Sequence, residues 1–342
     1  MQRLRNSASA WLSSVAVLLL AFVTPASARS VVDATGRIVE IPDRIERVMP
    51  AGPPAAVLLY TLSPEKMIGW PQAPGPAAKS LLGPSFADLP ALAPLIRDGK
   101  VQTDQIRAAR PDIILDYGST APRYADRATM VQEATGIPVL LLDGKLEQTP
   151  EIYRLLGAML GTEERAADLA GAAERLLTIT RQRAPARREA GPIRVYYARS
   201  ADGLTTATAT SSLGDVLRLI DMVNVADGAG TGELSHVTRD QVYAWNPDIV
   251  VTNNPEFWKA RNGPDWAGLP AIAQYRVYLA PALPFGWIDE PPSVNRLLGL
   301  LWAGQTLYPA VYPEDLRAEA RDFYRRFYRI ELDDEQFQAL SQ

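Results

Sequence analysis

The chain predicts an α/β protein: two Rossmann-like lobes with mostly parallel sheets, joined by one long helix. Three observations carry this. First, one phrase is written twice: residues 103–115 read TDQIRAARPDIIL and residues 239–251 read RDQVYAWNPDIVV. At a constant offset of 136 residues, Asp104 pairs with Asp240, Gln105 with Gln241, Ala108 with Ala244, Pro111 with Pro247, Asp112 with Asp248 and Ile113 with Ile249. Solenoid repeats recur every 20–50 residues or so, and this offset is far longer. It marks two similar lobes with a cleft between them. Second, short apolar runs alternate with helical patterns, which argues for parallel sheets covered by helices on both faces. Third, one long helical pattern lies between the two copies.

Residues 1–28 stand apart. Arg3 and Arg5 make a positive start, Trp11 to Val23 is apolar except for Ser13 and Ser14, and Ala26-Ser27-Ala28 is a small-residue cleavage site. This is the pattern of a secretory signal peptide cleaved after Ala28. An apolar run of about 13 residues is shorter than the roughly 20 that span a bilayer. The remaining chain divides into an N-terminal lobe (29–148), linking helices (149–188) and a C-terminal lobe with a closing helix (189–342).

The first lobe opens with a hairpin, VVD and RIVEI around the turn Ala34-Thr35-Gly36. A short strand RVMP runs into Pro50-Ala51-Gly52-Pro53-Pro54. A helix over 55–62, a strand over 66–70 and a Pro/Gly-rich loop over 71–84 follow. The first repeat copy supplies a helix over 103–109 and a strand over 112–116. A helix over 124–135 stops at Gly136, and a strand over 138–142 closes the lobe. Thr149-Pro150-Glu151 reads as a helix start, with Thr149 as cap and a stop at Gly161. Thr162 caps the next helix, with Glu163 and Glu164 in its first turn. Ala166, Leu169, Ala170, Ala173, Leu176 and Leu177 share one face of it. Pro185 breaks it after about Arg183, giving a strut of roughly 33 Å at 1.5 Å per residue. The second lobe restarts with IRVYYA at Ile193. A helix over 213–219, a strand at 223–225 and a Gly-rich loop over 228–232 lead to the second copy. A strand over 277–280, a helix over 293–307 and an aromatic, charged helix near 313–328 end the chain.

Composition narrows the function. Apolar residues make up 47% and charged residues 22%, ordinary for a globular protein. Removing residues 1–28 leaves 33 basic and 39 acidic side chains, a net charge of −6, so nucleic acid is not an expected partner. There are no cysteines, which excludes disulfides, thiolate metal sites, a cysteine nucleophile and a lipid-anchored cysteine. The expected compartment is a periplasm, with the protein untethered and monomeric. No G-x-S-x-G, H-E-x-x-H or P-loop motif occurs. The lone histidine, His236, beside a helix start, reads as a capping or surface residue. Gly228, Gly230 and Gly232 read as a plain loop. No catalytic residue, cofactor or protein-held metal is expected.

The duplicated phrase, the strut helix and the opening VVDATGRIVEIPDRIERV together resemble a known family over essentially the whole mature chain. It is the periplasmic solute-binding proteins of ABC importers for iron–siderophores, cobalamin or haem. The stretch FGWIDEPPSVNRLLGLLW resembles a subgroup handling metal chelates or metal oxyanions. The resemblance implies a receptor that captures a metal chelate, ferric siderophore first, and delivers it to an ABC transporter permease. Corrinoid, haem and molybdate or tungstate are the alternative cargoes, and a periplasmic hydrolase on an α/β scaffold is the alternative class. It further implies that Asp104 and Asp240 dock on the permease, where the family more often carries Glu. A helix-start role stands beside this: Thr238 with Gln241 makes a capping box, and an acid in the first turn favours the helix dipole.

Ligands of open α/β lobes lie beyond the carboxyl ends of strands. This places Trp70, Tyr117, Tyr197, Arg199, Asn253, Phe285 and Trp287 at the cleft. Aromatic faces with a few fixed polar groups suit a flat or bulky ligand. Arg199 offers a planar fork to carboxylate, catecholate or oxyanion groups. A helix start near Ser293 would also favour an anion. The competing reading makes Trp70 and Trp287 core and Arg199 surface.

Overall fold

The computed structural model describes residues 28–340 apart from 209–210 and 212–213. The expected signal peptide lies outside the described residues except for Ala28. Among the described residues no helix is long and apolar enough to cross a membrane.

Two parallel sheets form the two lobes. In the first, Val48–Pro50 pairs with Ile113–Gly118, which pairs with Val139–Asp143. A single parallel bridge from Val48 to Met67 marks the outer position. In the second, the order is Val223–Asn224, Arg194–Ala198, Ile249–Thr252 and Val277–Leu279, all parallel. Counted along each lobe's own chain, both sheets run second, first, third, fourth. The duplicated phrase is the outward sign of this shared topology.

The phrase repeats because it solves one local problem twice. Its helices, Thr103–Ala108 and Arg239–Trp245, leave carbonyls without helical partners at their ends. Arg47, at the start of the neighbouring strand, donates to the Ala109 and Arg110 carbonyls at 2.8 and 2.9 Å. Arg194 donates to the Trp245 carbonyl at 2.7 Å. The chain then leaves each helix through a left-handed residue, Arg110 or Asn246, before the proline. The following aspartate turns back: Asp112 accepts from the Glu46 and Arg47 amides at 2.7 and 2.8 Å, and Asp248 from the Arg194 amide at 2.9 Å. The Pro-Asp pair therefore sets the register of the central strand against its neighbour.

Ala28–Val32 and Ile38–Pro42 form the opening antiparallel hairpin. Asp33 holds its turn, accepting from the Thr35 and Arg37 amides and from the Arg37 guanidinium. The Ala34 amide donates to the Leu141 carbonyl at 3.0 Å, docking the hairpin on the first sheet.

Helix Thr149–Leu160 ends at Gly161 in the left-handed region, as its glycine predicts. Its cap is Gln148, and Thr149 is its first helical residue. Thr162 stands at the cap of the next helix, but its side chain bonds no helix amide. That helix runs over Glu163–Ala190, 28 residues and about 42 Å, straight through Pro185. A mid-helix proline forfeits one bond and costs about 3 kcal/mol. Here Arg187, 1% exposed, pins the far side. It donates to the Thr180 carbonyl at 2.8 Å, the Tyr312 hydroxyl at 2.7 Å and Asp221 at 2.8 Å. The predicted stop at Arg183 gives way to this long-range clamp.

Three further differences have local causes. The strand expected over 66–70 shrinks to the single bridge at Met67, after a 3₁₀ turn over Pro64–Lys66 and before a segment that leaves the sheet. There Trp70 exchanges bonds with Pro90 and Leu92 instead. The loop expected over 71–84 contains the proline-led helix Pro76–Leu81 and runs into a second, Pro84–Ala87. The last predicted helix is Leu316–Phe323, capped by Asp315 and continued as a π-helical turn, Tyr324–Tyr328. This C-terminal segment crosses back onto the first lobe: the Tyr60 hydroxyl donates to the Tyr328 carbonyl at 3.0 Å, and Arg329 to the Tyr60 carbonyl at 3.1 Å. One apolar core therefore runs through both lobes.

Candidate ligand cleft

The carboxyl ends of the two sheets face a crevice. The largest of the cavities described along it, about 520 Å³, lies between Pro53, Val57 and 70–75 of the first lobe and Arg199, Pro284, Phe285 and 289–292 of the second. That volume falls within the usual range for small-ligand sites, about 300–1,000 Å³. A neighbouring cavity of about 300 Å³ shares Pro53 and Pro292 with it. A third, about 280 Å³, shares Gly118, Ser119 and Glu233 with the second. The three form one chain of spaces along the crevice.

Three predicted residues meet in the largest cavity: Trp70, Arg199 and Phe285. Trp70 is held by a 2.7 Å bond from its indole N–H to the Phe86 carbonyl. Its ring lies 6.2 Å from Phe285, and Tyr60 stands 5.8 Å from Trp70 and 6.0 Å from Phe285. Phe285 also packs edge-on against Tyr328 at 5.4 Å. These rings close the back of the cleft and tie the C-terminal segment to both lobes. Rings so packed have little freedom, so the apolar wall is preformed.

Arg199 follows directly on the strand Arg194–Ala198. Its Nε donates to Asp289 at 2.6 Å, and its guanidinium lies 3.9 Å from Glu290. Asp289 is fully buried and also accepts from the Asn253 amide at 2.9 Å. Burial pushes the Asp289 carboxyl above its ordinary range, against the opposing pull of Arg199. Burial and then the nearby Asp289 push Glu290 up as well. Arg199 therefore enters the cleft with its Nε bonded to Asp289 and its charge offset by two nearby carboxyls.

Tyr197 and Asn253 lie beneath the cleft floor and do not line it. The Tyr197 hydroxyl is buried beside Asp289, and the Asn253 carbonyl oxygen is buried as well. Tyr117 belongs to the second cavity. Trp287 lines none of the three spaces described. It is 1% exposed, and its indole N–H meets the Tyr324 hydroxyl at 3.2 Å in the shared core. The expected anion-favouring helix start near Ser293 is also filled: the helix begins at Arg296, and the Ser293 hydroxyl donates to the Pro54 carbonyl at 2.8 Å. Asp289 and Glu290 were missed. The acidic doublet in Trp-Ile-Asp-Glu-Pro-Pro was their only signal.

Asp104 and Asp240 stand far from this chemistry. Each is exposed, in the first turn of its helix, with no hydrogen bond or ion pair among the described residues. Thr238 and Gln241 make the predicted capping box, whereas the first copy has Gln102 as its cap and no side-chain bond there. His236 ends an exposed edge strand, Leu234–His236.

A family model described as periplasmic binding protein matches residues 73–283, more than half of the chain. No curated protein matches it. Among solved structures, an ABC transporter solute binding protein from Sulfurospirillum deleyianum superposes with a TM-score of 0.83 at 28% identity, over 91% of this chain and 98% of that one. A periplasmic solute binding protein from Veillonella parvula gives 0.72 at 23% identity, over 92% and 97%. The fold is shared too with a Haemophilus influenzae molybdate periplasmic binding protein, solved with molybdate, at 0.72 and 20% identity over 89% and 99%.

Proposed function

The chain belongs to the periplasmic binding protein family, and from that premise we propose that it captures a metal chelate, ferric siderophore first, and hands it to the permease of an ABC importer. The observation that carries this reading is the cleft of about 520 Å³, walled by Trp70 and Phe285 with Arg199 at its floor. A preformed aromatic wall with few polar groups suits a bulky ligand whose metal is already saturated by its own chelator. Lobe closure is small, because the ring cluster at the back and the 28-residue strut resist wide opening. Asp104 and Asp240 present two unpaired charges away from the cleft, and we assign them to docking on basic residues of the permease.

Titration of tryptophan fluorescence with ferric chelates, cobalamin, haem and molybdate tests the cargo. Quenching by a ferric chelate supports the reading, and silence toward all four would sink it. For docking, Asp104→Arg with Asp240→Arg abolishes uptake and leaves ligand affinity intact. Loss of affinity instead would make these acids structural.

A further inference from the structure

The largest cavity is short of donors. Six of its lining residues are prolines, Pro53, Pro71, Pro74, Pro284, Pro291 and Pro292, and a proline has no amide hydrogen. Among the described residues no Ser, Thr, Tyr, Lys or His lines it, and Gln72 supplies its one side-chain amide. Helix Pro53–Leu62 begins at the cleft, and a helix start ordinarily welcomes an anion. Its first two residues are prolines, so two of the free amides are missing. Ionic groups are few as well. Arg199 and Asp289 cancel each other at 2.6 Å. That leaves Glu290, whose side chain is 52% exposed and sits beyond hydrogen-bond reach of Arg199 at 3.9 Å. With both carboxyls ionised, this cavity's lining side chains carry a net charge of about −1 in an apolar frame, where a charge acts more strongly than in bulk water.

We propose that the Arg199–Asp289–Glu290 cluster selects cargo by charge, admitting chelates with an apolar surface and a neutral or positive net charge and rejecting polyanionic chelates and free oxyanions. Asp289 is the positioning residue, since it takes the Nε of Arg199 and offsets the guanidinium's charge. Glu290 is the group that meets the ligand. A ferric trihydroxamate, neutral or bearing a pendant ammonium, fits this description. A ferric tris-catecholate, with three net negative charges, and molybdate do not. This inference rests on the receptor reading above and sharpens it.

Calorimetric titration of the full mature protein at fixed low salt tests it, with four probes: a neutral ferric trihydroxamate, its ammonium-bearing analogue, a ferric tris-catecholate and molybdate. The two hydroxamates should bind, and the tris-catecholate and molybdate should bind at least about 100-fold more weakly. Glu290→Gln, nearly isosteric, should shrink the preference for the ammonium-bearing probe over the neutral one by about tenfold. Glu290→Lys should reverse it. Equal binding of the tris-catecholate or molybdate overturns the proposal, as does a preference unchanged in both variants. In either case the receptor reading survives. If none of the four probes binds, the ferric-siderophore reading falls and the charge filter with it, and the cobalamin and haem titrations above decide whether the receptor reading stands.

Discussion

Replacing Arg296 with methionine should cost about 3–5 kcal/mol of stability, for reasons that the packing makes explicit. Arg296 is fully buried at the start of its helix. Its guanidinium meets Asp215 at 2.9 Å, the Gly144 carbonyl at 2.6 Å and the Ser293 carbonyl at 3.0 Å. Gly144 belongs to the first lobe, so this one side chain joins both lobes below the crevice. Methionine fills similar volume but leaves the Asp215 carboxylate, itself 6% exposed, without its buried partner. Arg218 remains 3.2 Å from Asp215, but its side chain is half exposed and compensates only in part. The orphaned Gly144 carbonyl adds about 1–3 kcal/mol if water does not reach it. Adding Asp215→Asn to Arg296→Met should return at least about 1.5 kcal/mol, because the largest single cost is the stranded charge. Urea unfolding followed in parallel by tryptophan fluorescence and far-UV circular dichroism measures both, with coincident curves as the check on two-state behaviour. An Arg296→Met variant within about 1 kcal/mol of the parent would refute the argument. So would a double variant less stable than the single one.

Other outcomes follow from the same contacts. Gly299→Ala would place a methyl 1.9 Å from the Trp287 carbonyl, so it should lose more than about 3 kcal/mol, and an unchanged thermal midpoint would contradict that packing. Trp70→Phe should abolish cargo-induced fluorescence quenching while Trp287→Phe keeps most of it, and the reverse pattern would move the ligand away from the aromatic wall described here. Burial tends to raise the Asp33 carboxyl, but bonds from Thr35 and Arg37 outweigh it and hold it below its ordinary 3.8. The stability it confers is therefore present above that value and lost as pH falls through the lower folded value. Asp33→Asn should flatten the stability–pH slope below about pH 4, and a slope equal to the parent's would show that the hairpin does not depend on that charge.

Much of the fold was legible because its signals are local. The helix, Pro-Asp turn and strand of each repeat are complete within about a dozen residues, and the two lobes follow from finding them twice. The capping box at Thr238 and the stop at Gly161 are equally local. Where an element depended on distant partners, local signals misjudged it. Pro185 reads as a breaker, yet Tyr312 and Asp221, far along the chain, help hold Arg187 and the helix continues. Trp70 and Trp287 look alike as aromatics at strand ends. Tyr324 covers one from the C-terminal segment, while the other faces the crevice.

The sequence by itself determined the α/β class, the duplication and the placement of Asp104 and Asp240 at helix starts. Periodicity and turn chemistry act over a few residues, and apolar faces must be buried wherever they occur. Only the tertiary structure decided what the cleft can recognise. The partners of Arg199 sit 90 residues away in a proline-rich loop, and the ring wall needs Tyr60, Phe285 and Tyr328 from three separate stretches. Charge pairing and ring packing depend on distance in space, and no local pattern encodes which charge will meet which.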